Sequence, residues 1–261
     1  MKKGELTTRN YWDATYQARK SVEPIEIAGW RNLCARRILT LKTRIGLEGK
    51  SILELGGGGS AWLAFLAAEY PHTRFACLDF SEDGVQSLHE FKRKEGLENL
   101  TIYFGDFFNP PSGIGQFDFV YSHGVVEHFQ DLAGVLSAHA KFLSGSGTML
   151  TIIPNMAGLN GLLTKWLNND VYDIHVPHDL SSFRTGHEQA GLRIVDSGYL
   201  CSNNFGVLSS CVREKAGWKR FSYRQLSRFS KIVWLFENTV HELPATRVFS
   251  PYIYAVSEKS N

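Results

Sequence analysis

Residues 50–61 read KSILELGGGGSA, and their reading decides the fold. A short apolar run, Ile52, Leu53 and Leu55, drives into four glycines, Gly56 to Gly59, and the helix-friendly stretch AWLAFLAAEY follows at once. The pattern predicts a buried strand, a tight turn and a helix, the opening unit of an α/β nucleotide-binding sheet. Glycine serves such a turn twice: it accepts positive φ, and without a Cβ it lets a ligand approach the backbone. A helix starting at Ser60 or Ala61 would aim its free N–H groups at the same place. A loop of this kind holds a cofactor, and its spacing leaves the choice of cofactor open.

Outward from that unit, strands and helices alternate. RFACLDF (74–80) reads as a second strand carrying Asp79, followed by a helix over 82–95 with Ser81 as its N-cap. LTIYFGDFF (100–108) is a third strand with Asp106 near its end, and FDFVYSHG (117–124) a fourth, before a helix over 130–142. GTMLTIIPN (147–155), LRIVDSGYL (192–200) and PYIYAVSEK (251–259) complete seven strands, the fifth stopped by Pro154. The expected fold is α/β, a Rossmann-like doubly wound sheet of seven strands, mostly parallel. The last strand lacks a βαβ lead-in, so it is expected antiparallel, at or near an edge.

The whole chain, 1–261, reads as a single domain with attachments. Residues 1–48 form a helical cap: a short aromatic helix within 5–20, then an amphipathic one in which Ile27, Trp30, Cys34, Ile38, Leu41 and Ile45 recur at steps of three and four. Arg36, Arg37, Lys42 and Arg44 are assigned to its wet side. Residues 49–155 form the cofactor-binding core, and 156–180 and 201–249 are insertions expected to form a substrate lid. Within the second insertion Leu226, Phe229, Val233, Phe236, Val240 and Leu243 mark a long helix, expected to pack on the sheet or the N-terminal helices rather than form a dimer seam.

With 43% hydrophobic and 21% charged residues the composition is that of an ordinary globular protein, and a net charge of +2 names no partner. Cys34, Cys77, Cys201 and Cys211 are widely spaced with no C-x-x-C pair, which reads as reduced, mostly buried cysteines and no zinc signature. The N-terminus has no apolar h-region, and no run approaches the roughly 18 apolar residues of a membrane span. The expectation is a cytoplasmic protein, monomer or homodimer, with no membrane partner.

Gly56, Gly58 and Ala61 satisfy the G-x-G-x-x-G/A dinucleotide spacing, with Asp79 about twenty residues on, so an NAD-type oxidoreductase is one reading. Three features pull away from it. Glu54 precedes the glycines, where a carboxylate suits a cationic ligand better than a pyrophosphate. Asp106 adds a second acid, and SHGVVEHF puts polar groups at the carboxyl edge of the fourth strand.

Together these stretches resemble class I S-adenosylmethionine-dependent methyltransferases of the small-molecule type. ILELGGGGS is similar to their first motif, with Ser60 where the family has its third glycine; CLDF, GDFF and FDFVYSHGVVEHF match the segments that follow, and YWDATY the opening segment that caps the cofactor. The resemblance implies S-adenosyl-L-methionine as cofactor, held by Tyr11, Glu54, Gly56, Gly58, Asp79, Phe80, Asp106, Phe107, Ser122, His123 and Gly124. In it Asp79 grips the ribose hydroxyls and Asp106 the adenine amino group. The implied activity is methyl transfer to a small-molecule acceptor by in-line displacement.

A base is needed only where the acceptor must lose a proton. The candidates are His128, at the exit of the fourth strand, and His175 and His178 in the connection after the fifth. Asp170, Asp173, His175, His178 and Asp179 could also be metal ligands, but no cysteine or spaced carboxylate pair completes a recognisable site, so no metal is expected. Some quinone-type relatives bind a metal through two acids and the His of the fourth-strand motif; the first of those acids falls here on Gly124.

Residues 213–231 hold seven cations (Arg213, Lys215, Lys219, Arg220, Arg224, Arg228 and Lys231) against Glu214, with Trp218, Phe221, Tyr223 and Phe229 interleaved. An RNA methyltransferase is therefore a further reading. The preferred reading is a solvated helix face with its aromatics turned inward, and nucleic acid is not expected as a partner.

Overall fold

The computed structural model describes residues 4–18, 21–212 and 216–260. Arg213, Glu214 and Lys215 of the basic stretch, and positions 19 and 20 at the end of the first expected helix, lie outside the described residues.

The chain opens with helix α1 (Arg9–Gln17), then a single 3-10 turn at Trp30–Asn32 leading into α2 (Leu33–Thr43). Strand β1 (Ser51–Leu55), the glycine turn and α3 (Ala61–Glu69) follow as the sequence predicts, and Ser60 caps α3 by accepting a hydrogen bond from the Leu63 N–H at 3.1 Å. Next come β2 (Arg74–Asp79), α4 (Glu82–Glu95), β3 (Leu100–Phe104), β4 (Phe117–His123), α5 (Leu132–Ala140) and β5 (Leu143–Pro154). The first insertion holds α6 (Leu159–Leu167) and α7 (Asn169–Asp173), and α8 (Leu180–Gln189) leads into β6 (Leu192–Leu200). The second insertion holds α9 (Trp218–Thr239) before β7 (Tyr252–Lys259).

The seven strands form one sheet in the order β3-β2-β1-β4-β5-β7-β6. β1 lies between β2 and β4, parallel to both, while β7 pairs antiparallel with β5 and with β6. β7 is thus antiparallel as expected and one place in from the edge. β6 consequently runs parallel to β5, so both insertions leave the sheet at its carboxyl edge.

Alternation along β1 and β4 feeds two cores. Ile52, Phe119 and Tyr121 face α2 and α3, while Leu53, Leu55 and Val120 join Leu136 of α5 and Phe183 of α8 on the other side. These strands are buried on both faces, so nearly every residue contributes; each buried Leu or Ile is worth about 1.5–3 kcal/mol of apolar burial. Among the described residues no helix is long and apolar enough to cross a membrane.

Three expectations are corrected. Lys42, assigned to the wet side of α2, is fully buried. It follows Cys34 and Ile38 at steps of four, which places it on the core-facing row despite its charge. Cys34 and Cys201 are not reduced: they form a disulfide joining α2 to the end of β6, while Cys77 and Cys211 are free and buried.

The third correction concerns α9. Its fully buried residues are Ser230, Trp234 and Glu237, at steps of four and three, while Tyr223 and Leu226 pack half-buried against Leu208 and its neighbours. Ser230 accepts from the Phe205 N–H at 2.8 Å, the Trp234 indole donates to the Asn203 carbonyl at 3.0 Å, and Glu237 pairs with Arg37 at 3.0 Å. Glu237 also accepts from Ser202 at 2.6 Å. Phe229, Phe236, Val240 and Leu243, expected to pack inward, are instead exposed, as are Trp218 and Phe221 of the aromatics expected to turn in. Satisfying these buried backbone and side-chain polar groups fixes which face of the helix turns in, against its apolar periodicity.

Candidate cofactor and active site

The glycine turn sits at the carboxyl end of β1, between α1 and α4. Gly56 has φ +71°, and a Cβ there would meet Val125 at 2.5 Å. A Cβ on Gly58 would lie 2.8 Å from the Asp79 carboxyl carbon. No larger residue fits, so the turn holds Asp79 against its own backbone: Oδ2 accepts from the Gly58 N–H at 2.8 Å and Oδ1 from the Ser81 N–H at 2.7 Å. Burial pushes the Asp79 carboxyl up to about 6, against the pull of those two donors.

Beside Asp79, at the ends of β2 and β3, Phe80, Asp106 and Phe107 line a cavity of about 210 Å³ together with Arg9, Phe108 and Phe129. Asp106 accepts from the Phe108 N–H at 2.8 Å, which fixes its carboxylate at the rim. β3 ends at Phe104, earlier than expected, so Asp106 belongs to the turn after the strand rather than to the strand itself.

Glu54 lies directly under the loop, where a Cβ on Gly57 would meet its Cγ at 2.8 Å. Its Oε2 accepts from the Tyr121 phenol at 2.8 Å. The cation that faces it is Lys42, whose Nζ stands 3.5 Å from the centroid of the Tyr121 ring. Burial raises the Glu54 pKa and lowers that of Lys42, and the attraction between the two opposes both shifts. His123, at the end of β4, packs edge-on against Tyr252 at 5.3 Å and is pushed down to about 3 by burial and the Lys42 charge, so it is neutral. Ser122 presents a buried hydroxyl without a hydrogen-bond partner, and Gly124 turns the chain at φ +75°.

Beyond Gly124 the turn 126–128 is stitched to the first insertion. The Val176 N–H donates to the Glu127 carbonyl at 2.7 Å, and His128 Nδ1 donates to the Ile174 carbonyl at 2.6 Å. His175 Nδ1 likewise meets the Val171 carbonyl at 2.6 Å. Each imidazole therefore carries its proton on Nδ1 and a lone pair on Nε2. The two rings lie 4.6 Å apart, and Glu127 Oε1 is 3.9 Å from His128 Nε2. One ligand-capable atom from each of Glu127, His128 and His175 lies within 4.8 Å of the others. Burial pushes Glu127 up to about 8 and His128 down to about 3, so at neutral pH the cluster holds a protonated carboxyl and neutral imidazole. His178 stands outside this cluster, with its own Nε2 buried and unpartnered.

α1 closes both regions. The Tyr16 ring lies 3.0 Å from where a Cβ on Gly59 would be, Asp13 accepts from Ser81 at 2.5 Å, and Trp12 packs edge-on to His128 at 5.2 Å. Tyr11 stacks edge-on against Trp12 at 5.2 Å. The structure thus gathers Gly56, Gly58, Asp79, Phe80, Asp106 and Phe107 in one stretch of the carboxyl edge, with His128 and His175 beyond it. Sequence reasoning missed Lys42, Tyr121 and Tyr16, and it named Glu127 only as the neighbour of His128. Of these Lys42 alone had a signal, its place in the Cys34–Ile38 row.

These residues suit S-adenosyl-L-methionine. The glycine cradle excludes side chains, Asp79 offers two oriented oxygens for a diol, and the aromatic slot with Asp106 accommodates a purine. Sheet order, glycine turn and acids define a class I methyltransferase fold. Residues 53–149 match the family model described as a methyltransferase domain, and the chain carries such a domain there. EEF1A lysine methyltransferase 2 of Danio rerio is 27% identical over 128 residues, 47% of this chain and 54% of that one, so the chain spans about half the length of this curated relative. Geranyl diphosphate C-methyltransferase of Streptomyces coelicolor A3(2), solved with Mg2+, geranyl diphosphate and S-adenosyl-L-homocysteine, superposes with a TM-score of 0.60 at 12% identity, covering 92% of this chain and 90% of that one. Coclaurine N-methyltransferase, bound to N-methylheliamine and S-adenosylhomocysteine, gives 0.59 at 14% identity over 86% and 72%.

Proposed function

We propose that the protein transfers a methyl group from S-adenosylmethionine to a small organic acceptor held against Glu127, His128 and His175. The observation that carries this is the buried Glu127–His128 pair, 3.9 Å apart, with a free lone pair on His128. Bound in the cradle, the cofactor supplies an electrophilic methyl on a sulfonium. Asp79 and the glycine turn hold its ribose, and Phe80, Asp106 and Phe107 its adenine. In-line displacement requires donor and acceptor on one line, and alignment of this kind is worth roughly 7–11 kcal/mol in favourable cases. α1 supplies that rigidity, because Tyr16 packs on the glycine turn and Trp12 on His128. His128 Nε2 takes the proton an acceptor hydroxyl or ammonium must lose. Once Glu127 has lost its own proton to solvent, its carboxylate balances the charge on the protonated imidazole, so the two act as a coupled pair. A cytoplasmic location belongs to the same proposal.

A protein lysine is the second acceptor to weigh, because the Danio rerio relative is a lysine methyltransferase. Calorimetry with S-adenosylhomocysteine tests the cofactor half: low-micromolar binding is expected, and it should collapse in Asp79→Ala. Turnover assays with hydroxylated and amine small molecules, beside lysine-containing proteins and RNA, test the acceptor half. Activity confined to protein or RNA would overturn the small-molecule reading. NADH binding in place of S-adenosylhomocysteine would overturn the whole of it.

A further inference from the structure

α9 carries an apolar stripe that faces water in addition to the residues it turns onto the core. Its buried row is Ser230, Trp234 and Glu237, whereas Trp218, Phe221, Phe229, Ile232 and Phe236 are 45–65% exposed. At 100° per residue those five fall on one stripe opposite the buried row. Arg220, Arg224 and Arg228 run along one edge of the stripe at steps of four, and among the described residues none of them forms an ion pair. The only acid in α9 is Glu237, which is turned inward onto Arg37. The apolar surface continues onto α6, where Trp166 lies 4.8 Å from Trp218 and Leu162 is exposed. Among the described residues, twelve of the fourteen exposed large hydrophobics lie in the two insertions, 156–180 and 201–249, at the carboxyl edge of the sheet.

We propose that the outward face of α9, with the adjoining end of α6, docks on an anionic lipid surface. A water-facing stripe of Trp, Phe and Ile has the area and the aromatic content of an interfacial helix. The arginine row beside it supplies the complementary charge for acidic headgroups, and a neutral protein groove would have no use for it. The helix lies on such a surface and does not cross it, in keeping with its length and charge. A second copy of the chain is disfavoured as occupant, since two α9 faces meeting antiparallel would bring their arginine rows together. The docked face belongs to the same insertions that leave the sheet beside His128 and His175. Under the proposed methyl transfer, the acceptor would then be an amphiphile presented at the lipid surface.

Co-sedimentation of the full chain with phosphatidylcholine vesicles, with and without phosphatidylglycerol, tests the proposal. Binding is expected with phosphatidylglycerol, falling about tenfold without it or at high salt. The Phe229→Glu/Ile232→Glu variant should lose vesicle binding while its affinity for S-adenosylhomocysteine is unchanged. Arg224→Gln/Arg228→Gln should lose only the preference for phosphatidylglycerol. Absence of vesicle binding by the full chain overturns the proposal, as does binding that survives in the Phe229→Glu/Ile232→Glu variant. So does a concentration-dependent dimer that this variant dissolves, which would assign the face to a second copy. Vesicle binding and S-adenosylhomocysteine binding are separate readouts, so the lipid proposal and the methyltransferase reading fail separately.

Discussion

The ammonium of Lys42 stands 3.5 Å from the centroid of the Tyr121 ring, and the Tyr121 phenol donates to Glu54 at 2.8 Å. A cation from α2 and an acid from β1 are thereby stacked beneath the cofactor turn, with Tyr121 between them. Among the described residues Lys42 Nζ has no hydrogen-bond partner, and burial lowers its pKa. For a lysine held below its unfolded value, the unfolded chain binds the extra proton in the interval between the two. Stability therefore rises with pH across that interval and is lower below it. Lys42→Met keeps the aliphatic stem and removes the buried charge. Its effect on Glu54 decides the outcome: deprived of the cation that faces it, Glu54 should take up a proton at higher pH. We expect the variant to keep its fold but bind S-adenosylhomocysteine at least tenfold more weakly at pH 6 than at pH 8, in calorimetry. Equal affinities at the two pH values would show that Lys42 does not govern Glu54.

Asp79 makes a pH prediction of its own. Its folded pKa, about 6, lies above the usual carboxylate range, so the native state holds the proton longer than the unfolded chain. Its contribution to stability is thus present at low pH and lost as pH rises through about 6. Cofactor binding runs the other way, because a ribose diol is gripped by the ionised carboxylate. S-adenosylhomocysteine affinity should fall up to about tenfold per pH unit below 6. Asp79→Asn should bind weakly at every pH, and a flat wild-type profile from pH 5 to 8 would refute the assignment.

Burial pushes Glu127 up to about 8 and His128 down to about 3. Ionised Glu127 stabilises a protonated His128, so kcat should rise through pH 8 and then level off. Glu127→Gln should remove that inflection and slow turnover about 10²–10⁴-fold, the usual worth of positioned acid–base chemistry, with S-adenosylhomocysteine binding intact. An inflection that survives the substitution would place it elsewhere.

A metal at Glu127, His128 and His175 would need closer ligands than these. An ion with bonds of about 2.1 Å sets tetrahedral ligand atoms about 3.4 Å apart, against 3.9 Å between Glu127 and His128. Dialysis against EDTA should leave turnover unchanged, and elemental analysis should find less than stoichiometric transition metal. A bound equivalent of zinc or iron would reverse this.

The Cys34–Cys201 bond closes a loop of 167 positions between α2 and the end of β6. Its reduction, or Cys34→Ser/Cys201→Ser, should destabilise the fold by about 2–5 kcal/mol. A thermal melt with and without reductant measures it. No difference would mean that the two thiols are free in solution.

The seven strands, the glycine turn and the acids Glu54, Asp79 and Asp106 were legible in the chain alone, because each is a local matter. Strand alternation, a turn that needs positive φ, and a cap at Ser60 are all written within a few residues of where they act. Even the antiparallel β7 could be read, since it lacks the helix a parallel crossover requires. What local pattern could not show is which atoms meet across the sheet. Lys42 was assigned to water because charge ordinarily outweighs periodicity, and only the packing of α2 over Tyr121 shows it buried. His175 joins Glu127 and His128 through hydrogen bonds between segments more than forty residues apart. The face of α9 was decided by buried polar partners at residues 202–205 that its own sequence does not contain. The chain by itself determined the glycine turn and the acids that stand around it. Tertiary structure alone decided which acid faces which base beside it and which side of the last helix is left to the solvent, because both follow from long-range hydrogen bonds that local periodicity does not encode.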